Sequence, residues 1–192
     1  MTFLGALPAR FRRERVLIVG CGDVGQRAAR ALGNGRRVRL LALTSSPERC
    51  AELRAQGITP LLGNLDEAAS LQRLAGLGTR VLHLAPPPSG VGGDWRLDTR
   101  TRALTRALGR RGAPASLVYG STSGVYGDCG GAWVTEETPV NAQTSRAKRR
   151  LDAADTAGAT HTDNGQADAG TVCVRLTGMI HGWLPLVKCR QD

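Results

Sequence analysis

A predicted strand, a glycine turn and a predicted helix follow one another from Arg15 to Leu32, and this stretch constrains the fold most. Val16 to Val19 is a continuous apolar run, which is typical of a central parallel strand buried on both faces. Gly20, Gly22 and Gly25 then give the spacing G-x-G-x-x-G. In a dinucleotide-binding turn the first glycine permits the tight turn and the second lets a pyrophosphate approach the backbone. The third lets the helix pack closely on the strand.

The start of the predicted helix has the chemistry needed to hold a phosphate. A helix N-terminus offers unpaired N–H groups and a partial positive charge. We therefore predict cofactor contacts from the residues of the turn and the first helical residues, Gly20, Gly22, Asp23, Val24 and Gly25. The alternative is an ordinary glycine-rich turn, because the chain contains 25 glycines.

Predicted strands and helices alternate along the rest of the chain. Apolar runs predict further strands at Val38–Leu43, Ile58–Leu62, Arg80–Leu84, Ser116–Tyr119 and Thr171–Leu176. Helices are predicted at Pro47–Gln56 with Ser46 as N-cap, and at Asp66–Leu74, Asp94–Arg110 and Arg146–Asp155. The alternation predicts an α/β fold, a Rossmann-type doubly wound parallel sheet with right-handed crossovers. Arg102, Arg106 and Arg110 are predicted to form a solvated helix face, and residues 157–170 a flexible loop.

Composition excludes several classes of protein. The net charge is +10, but the arginines are scattered and aromatic residues make up only 4%, so a solvated basic surface is favoured over nucleic-acid binding. The five cysteines are odd in number and form no C-x-x-C pair, which indicates neither a disulfide framework nor a zinc site. With no secretory leader and no apolar run of membrane-spanning length, we expect a cytoplasmic protein.

The end of the second predicted strand bears on the choice of cofactor. In NAD-binding proteins an acidic residue at this position usually takes the ribose hydroxyls. Here the chain has Thr44, Ser45 and Ser46, with Arg49 shortly after. Hydroxyls and a guanidinium suit a 2′-phosphate, so NADP is favoured over NAD. The alternative is that Ser46 only caps the helix and Arg49 is solvated.

Four further stretches resemble the extended short-chain dehydrogenases/reductases, the epimerase/dehydratase group. They are Val81-Leu-His-Leu-Ala-Pro86, Gly63-Asn-Leu65, Gly120-Ser-Thr-Ser-Gly-Val-Tyr-Gly127 and Arg175-Leu-Thr-Gly178. Residues 94–107 and 133–136 also resemble atypical members, and the likeness covers residues 15–188. It implies that Asn64 and Leu65 line the adenine pocket, with Asn64 in place of the family's Asp, and that Leu84, Ala85 and Pro86 lie against the cofactor.

The same resemblance points to three catalytic candidates. Thr122 falls on the position of the family's catalytic hydroxyl, which would hydrogen-bond a substrate carbonyl or alcohol, or it only satisfies local backbone groups at the strand end. Tyr126 follows in the next loop, where its phenol would face the cofactor or substrate, or simply pack. The family's Tyr-x-x-x-Lys pair is replaced by Arg146 and Arg150. Arg150 would still hold ribose hydroxyls, whereas Arg146 stays protonated and is a poor general acid. The alternative is that the run from Arg146 to Arg150 is a solvated helix face.

The resemblance also implies a second lobe that this sequence carries only in part. We divide the chain into an N-terminal extension (1–14), a NAD(P)-binding Rossmann domain (15–178) and the start of a truncated substrate lobe (179–192). His181 is a candidate acid or base there, although a packed or solvated side chain is favoured. Three functions remain open: a reductase- or epimerase-like enzyme on a hydroxyl or carbonyl substrate such as a nucleotide sugar, a non-catalytic NADP(H)-binding module or redox sensor, and an inactive fragment.

Overall fold

One seven-stranded sheet organises the protein. The structure is a computed structural model that describes residues 14–34, 38–89, 94–135, 137–162, 170–176 and 187–189, with side chains described as far as residue 158. The strands are β1 (Glu14–Val19), β2 (Val38–Thr44), β3 (Thr59–Leu62), β4 (Arg80–His83), β5 (Ser116–Thr122), β6 (Gly170–Leu176) and β7 (Val187–Cys189). Their spatial order is β3-β2-β1-β4-β5-β6-β7.

The sheet has the predicted doubly wound arrangement. Strands β1 to β6 pair in parallel, and only β7 runs antiparallel, against β6. The helices are α1 (Asp23–Gly33), α2 (Arg49–Ala55), α3 (Thr99–Gly109) and α4 (Ser145–Thr162), with 3₁₀ helices at Ala68–Leu74 and Ser123–Tyr126. The strand order reverses between β1 and β4, so a crevice opens beyond the carboxyl ends of these two strands.

Side chains of β1 supply both layers of the core. Leu17 and Val19 belong to the cluster that packs under α3, α4 and the first 3₁₀ helix. Val16 and Ile18 belong to a second cluster with side chains of α1 and α2. Because successive strand residues point to opposite faces and both faces are covered, every position from Val16 to Val19 favours an apolar residue. The predicted buried central strand is confirmed.

Two helix predictions near the strand ends are wrong. Helix α2 begins at Arg49 with Glu48 in the N-cap position and no side-chain cap, so Ser46 does not cap it. Arg49 and Cys50 donate their N–H groups to Ser46 and Pro47, three residues back, so the chain first makes a tight turn. The predicted helix Asp66–Leu74 is a 3₁₀ helix that begins at Ala68.

The helices that cover the larger core cluster also differ from the predictions. Helix α3 begins at Thr99, five residues late, because Asp98 is its N-cap and accepts the N–H of Thr101. Arg106 and Arg110 are exposed as predicted, whereas Arg102 is half-exposed and its guanidinium pairs with Asp152 of α4. Strand β5 continues to Thr122, and α4 extends to Thr162 into the predicted loop 157–170.

Several predictions fall outside the described residues. These are the N-terminal extension as far as residue 13, residue 136, the Thr177–Gly178 part of the Arg motif, and residues 177–186 with His181. Residues 187–189, assigned from the sequence to the start of the lobe, form strand β7. Within the described ranges, no helix has the combination of length and apolar character that crossing a bilayer requires.

Candidate functional site

The glycine turn joins β1 to α1 at the crevice. Gly20 has φ +88°, and a Cβ there would lie 2.4 Å from the backbone nitrogen of Ala85. A Cβ on Gly25 would lie 2.9 Å from the Gly20 carbonyl oxygen. Around Gly22, by contrast, no atom lies within 4 Å of the Cβ position. Gly20 and Gly25 are therefore needed by the protein's own packing, whereas Gly22 borders space that the protein does not fill.

The first turn of α1 faces this open space. Gly22 is its N-cap residue, and no side chain caps the helix there. The first N–H groups of α1 thus remain available to an external acceptor. The Asp23 carboxylate lies 3.0 Å from Arg27, so within this turn its charge is already paired, while Val24 is half-buried.

A cleft of about 220 Å³ extends from the glycine turn across the ends of β1, β2 and β3. It brings together residues that the sequence predicted from four separate stretches: Gly20, Thr44, Ser45, Arg49, Asn64, Leu65 and Ala85. Arg100 and Ser46 also line it, and Arg100 was not predicted. The other predicted cofactor residues, Gly22, Asp23, Val24, Gly25, Leu84 and Pro86, are not part of this lining.

Arg49 connects the part of the cleft at the end of β2 to the glycine turn. Its Nη2 donates to the carbonyl oxygen of Cys21 at 2.8 Å, and its Nε lies 3.7 Å from a carboxylate oxygen of Glu52. Glu52 also accepts a hydrogen bond from Gln26 of α1. A carboxylate therefore lies beside Arg49, although it comes from α2 rather than from the end of β2.

The Cys21 thiol lies in the same turn. Burial raises the pKa of this thiol, and the charge of Arg49 acts in the opposite direction.

The turn after β3 forms the opposite end of the cleft. The Asn64 side chain accepts the N–H of Asp66 at 3.1 Å and donates to Glu67 at 3.3 Å, so its amide is engaged within the turn. Asp66 forms a bidentate ion pair with Arg100 of α3. These two residues are 34 positions apart, and neither was singled out by a motif.

The three catalytic candidates lie at or near the end of β5. Thr122 is half-buried, and its Oγ1 accepts the N–H of Gly124 at 3.4 Å. Tyr126 is buried, and its hydroxyl donates to the carbonyl oxygen of Thr135 at 2.9 Å. That bond occupies the phenol proton that a proton donor would use.

Arg150 is buried beneath the strand. Its Nη1 donates to the carbonyl oxygen of Gly120 and lies 3.3 Å from the hydroxyl of Tyr119. Its guanidinium carbon lies 5.7 Å from the centre of the Tyr119 ring. The guanidinium of Arg150 therefore ties α4 to β5. At the position where the resembling family has a ribose-binding Lys, this side chain makes contacts within the protein. Arg146, at the position of the family's Tyr, is exposed.

His83 is a buried histidine at the end of β4 whose role the sequence analysis did not assign. Its Nε2 lies 2.9 Å from Oγ1 of Thr101, which in turn donates to the carboxylate of Asp98 at 3.0 Å. Because the Thr101 hydroxyl donates its hydrogen to Asp98, its oxygen accepts a hydrogen bond from Nε2–H of His83. Burial first, and then the charge of Arg150, lower the pKa of His83 to about 3. The signal available in the sequence was a histidine that follows the apolar pair Val81 and Leu82 in the predicted strand.

In the described part of the chain, no three His, Cys, Asp or Glu residues are grouped so that they could hold a metal ion.

Comparison with known proteins supports the fold. The model of the TrkA-N domain family matches residues 16–82, from β1 to β4. No curated protein matches the sequence significantly. A proposed epimerase from Burkholderia cenocepacia J2315 superposes with a TM-score of 0.68 at 20% identity, covering 86% of this chain and 54% of its own.

Two further solved structures contain a bound dinucleotide. A short-chain dehydrogenase/reductase superfamily protein from Agrobacterium tumefaciens with bound NAD has a TM-score of 0.65 and 23% identity, over 84% of this chain and 48% of its own. UDP-glucose 4-epimerase from Bifidobacterium longum, in complex with NAD⁺ and UDP, has a TM-score of 0.66 and 19% identity. The match covers 84% of this chain and 52% of the epimerase chain. The chain spans about half the length of these proteins. At the level of fold the predicted resemblance is confirmed: the chain has the Rossmann fold of the epimerase/dehydratase and short-chain dehydrogenase/reductase proteins.

Proposed function

We propose that this chain binds NADP(H) across the glycine turn and the cleft. The observation that carries the proposal is the unfilled space at Gly22, directly in front of the uncapped N-terminus of α1. A pyrophosphate fits there because it needs close backbone approach and N–H donors. The adenine end would lie between Leu65 and Ala85, and Arg49 with Ser45 would meet the 2′-phosphate.

Replacement of Gly22 tests this proposal directly. Gly22→Val places its Cβ where no atom beyond the adjoining backbone lies within 4 Å, so we expect the fold to be unaffected. We expect NADPH binding, followed by cofactor fluorescence, to weaken at least tenfold while the midpoint of thermal unfolding is unchanged. Gly109→Val is the matched control, because the Cβ position at the end of α3 is equally open but remote from the crevice. Equal NADPH affinity in Gly22→Val and the wild type would refute the proposal.

Two functions are compatible with such binding, and the internal contacts favour a non-catalytic NADP(H)-binding module. The phenol of Tyr126 and the guanidinium of Arg150 are both engaged within the protein. Arg146 cannot replace the family's Tyr as a proton donor. Bound NADPH would supply a hydride, but Thr122 alone would have to orient and protonate the substrate.

The second candidate is a reductase- or epimerase-like enzyme acting on a hydroxyl or carbonyl group, such as that of a nucleotide sugar. It is favoured by the position of the Thr122 hydroxyl at the carboxyl end of β5, two strands from the glycine turn. In such an enzyme Thr122 would hydrogen-bond the reacting oxygen beside the nicotinamide.

Turnover separates the two candidates. Positioned acid–base groups contribute about 10²–10⁴-fold to rate, so we expect no measurable oxidation of NADPH with ketones, aldehydes or nucleotide sugars. Absorbance of the reduced cofactor is the measurement. A rate that disappears in Thr122→Ala and survives in Arg146→Ala would instead establish the enzyme, with a donor other than Arg146.

A further inference from the structure

We propose that Arg100 is a positioning residue for the adenine end of the cofactor cleft, where its ion pair with Asp66 straps the turn after β3 to α3. This inference rests on the proposed binding of a dinucleotide and names a residue that determines how well that site is formed. It concerns the shape of the cleft rather than contact with the cofactor phosphates.

The contact has the geometry of a strong ion pair. Arg100 Nε lies 2.7 Å from Oδ1 of Asp66, and Nη2 lies 2.6 Å from Oδ2. This fork arrangement fixes direction as well as distance, which a lysine at the same position could not do. The remaining Nη1 lies 3.3 Å from the carbonyl oxygen of Pro86. One guanidinium therefore joins α3, the turn after β3 and the loop after β4.

These three segments enclose the adenine end of the cleft. Arg100 itself lines the cleft, together with Asn64 and Leu65 from the turn and Ala85 from the loop. Within the described residues, the other side-chain hydrogen bonds of this turn stay between residues 64 and 70. They shape the turn but do not tie it to α3. Leu65 packs on the apolar cluster that contains α3 side chains, and the pair between Arg100 and Asp66 is the polar contact that ties the turn to this helix.

The charges of Arg100 and Asp66 cancel, which predicts how the affinities for NADPH and NADH should change when the pair is lost. The hydrogen bond from Arg100 holds the pKa of Asp66 below its ordinary value, so the carboxylate is ionised at neutral pH. A guanidinium neutralised in this way contributes little to attraction of a 2′-phosphate. Loss of the strap should therefore weaken NADPH and NADH by the same factor, unlike loss of Arg49.

The test compares variants of the pair in the full chain, with NADPH and NADH as the two probes in calorimetric titrations. Arg100→Ala should weaken both cofactors about tenfold, and Arg100→Lys should have an intermediate effect. The exchanged pair Arg100→Asp with Asp66→Arg should recover part of the affinity. Arg106→Ala, an exposed arginine of the same helix, is the matched control and should bind as the wild type does.

Amide hydrogen exchange of residues 63–67 without cofactor gives an independent readout. Arg100→Ala should accelerate exchange in this turn, and Arg106→Ala should not. Unchanged affinity in Arg100→Ala, a loss confined to NADPH, or unchanged exchange would each overturn the inference while leaving dinucleotide binding intact. If the wild type binds neither NADPH nor NADH, the proposed function fails, and the positioning role fails with it.

Discussion

At the scale of single residues, Arg49 is the side chain on which the proposed preference for NADP over NAD rests. It lines the cleft between Thr44 and the glycine turn, and its guanidinium already donates to the Cys21 carbonyl. Glu52, 3.7 Å away, is half-exposed and reduces the net positive charge that a phosphate would meet. We still expect NADP to be preferred, because no carboxylate is among the lining residues of the cleft.

Substitution of Arg49 checks this preference. One charge-assisted hydrogen bond contributes about 1.5–3 kcal/mol, so Arg49→Ala should weaken NADPH by about 10- to 150-fold and NADH much less. The ratio of the two dissociation constants is the measurement, because the contact with Cys21 will affect both cofactors. Arg54→Ala, exposed on the same helix, is the control. A wild type that binds NADH more tightly than NADPH would contradict the assignment.

At the scale of secondary-structure elements, local patterns predicted most of the fold. The apolar runs located β1 to β6 because both faces of this sheet are covered by helices, so burial leaves a continuous signal in the sequence. The start of α3 was missed because Asp98 is the residue that caps the helix, where it is buried and accepts two hydrogen bonds from Thr101. Helical propensity alone would continue the helix towards Asp94.

Contacts between distant elements explain what was missed at the site. The spacing of Gly20 and Gly25 was a reliable signal because any such turn must make the same close contacts. In the structure a Cβ on Gly20 would meet the backbone of Ala85, and a Cβ on Gly25 would meet the carbonyl oxygen of Gly20. The pairs Arg100–Asp66 and Arg102–Asp152, by contrast, join residues 34 and 50 positions apart. In a chain in which all basic residues but two are arginines, no local pattern distinguishes these two from solvated ones.

At the scale of the whole molecule, a buried polar chain ties the helical layer to the sheet. His83 of β4 contacts Thr101 of α3, and Thr101 donates to Asp98 at the N-cap of that helix. The N–H of Asp98 donates to Asp152 of α4, which also pairs with Arg102. Buried polar groups of this kind hold a fold together only while each member keeps its protonation state.

The stability of the protein should therefore fall in mild acid because of His83. Its pKa is about 3 in the folded protein, against an ordinary value of 6.5 in an unfolded chain. Between these two values the unfolded state binds a proton that the folded state does not. The stabilisation is thus complete above pH 6.5 and is lost progressively as the pH falls towards 3, at up to about 1.4 kcal/mol per pH unit.

Urea unfolding of the wild type and His83→Gln between pH 7 and pH 5 measures this contribution. Gln retains an N–H that can reach Oγ1 of Thr101 but does not titrate, so the variant should be less stable at pH 7 and lose less stability at pH 5. Asp66, whose pKa is lowered, titrates below this window and does not confuse the comparison. The difference between the two slopes isolates His83, because every other titrating group is common to both proteins. Parallel slopes would mean that His83 is protonated in the folded state or hydrated within it, and that the buried chain tolerates a charge.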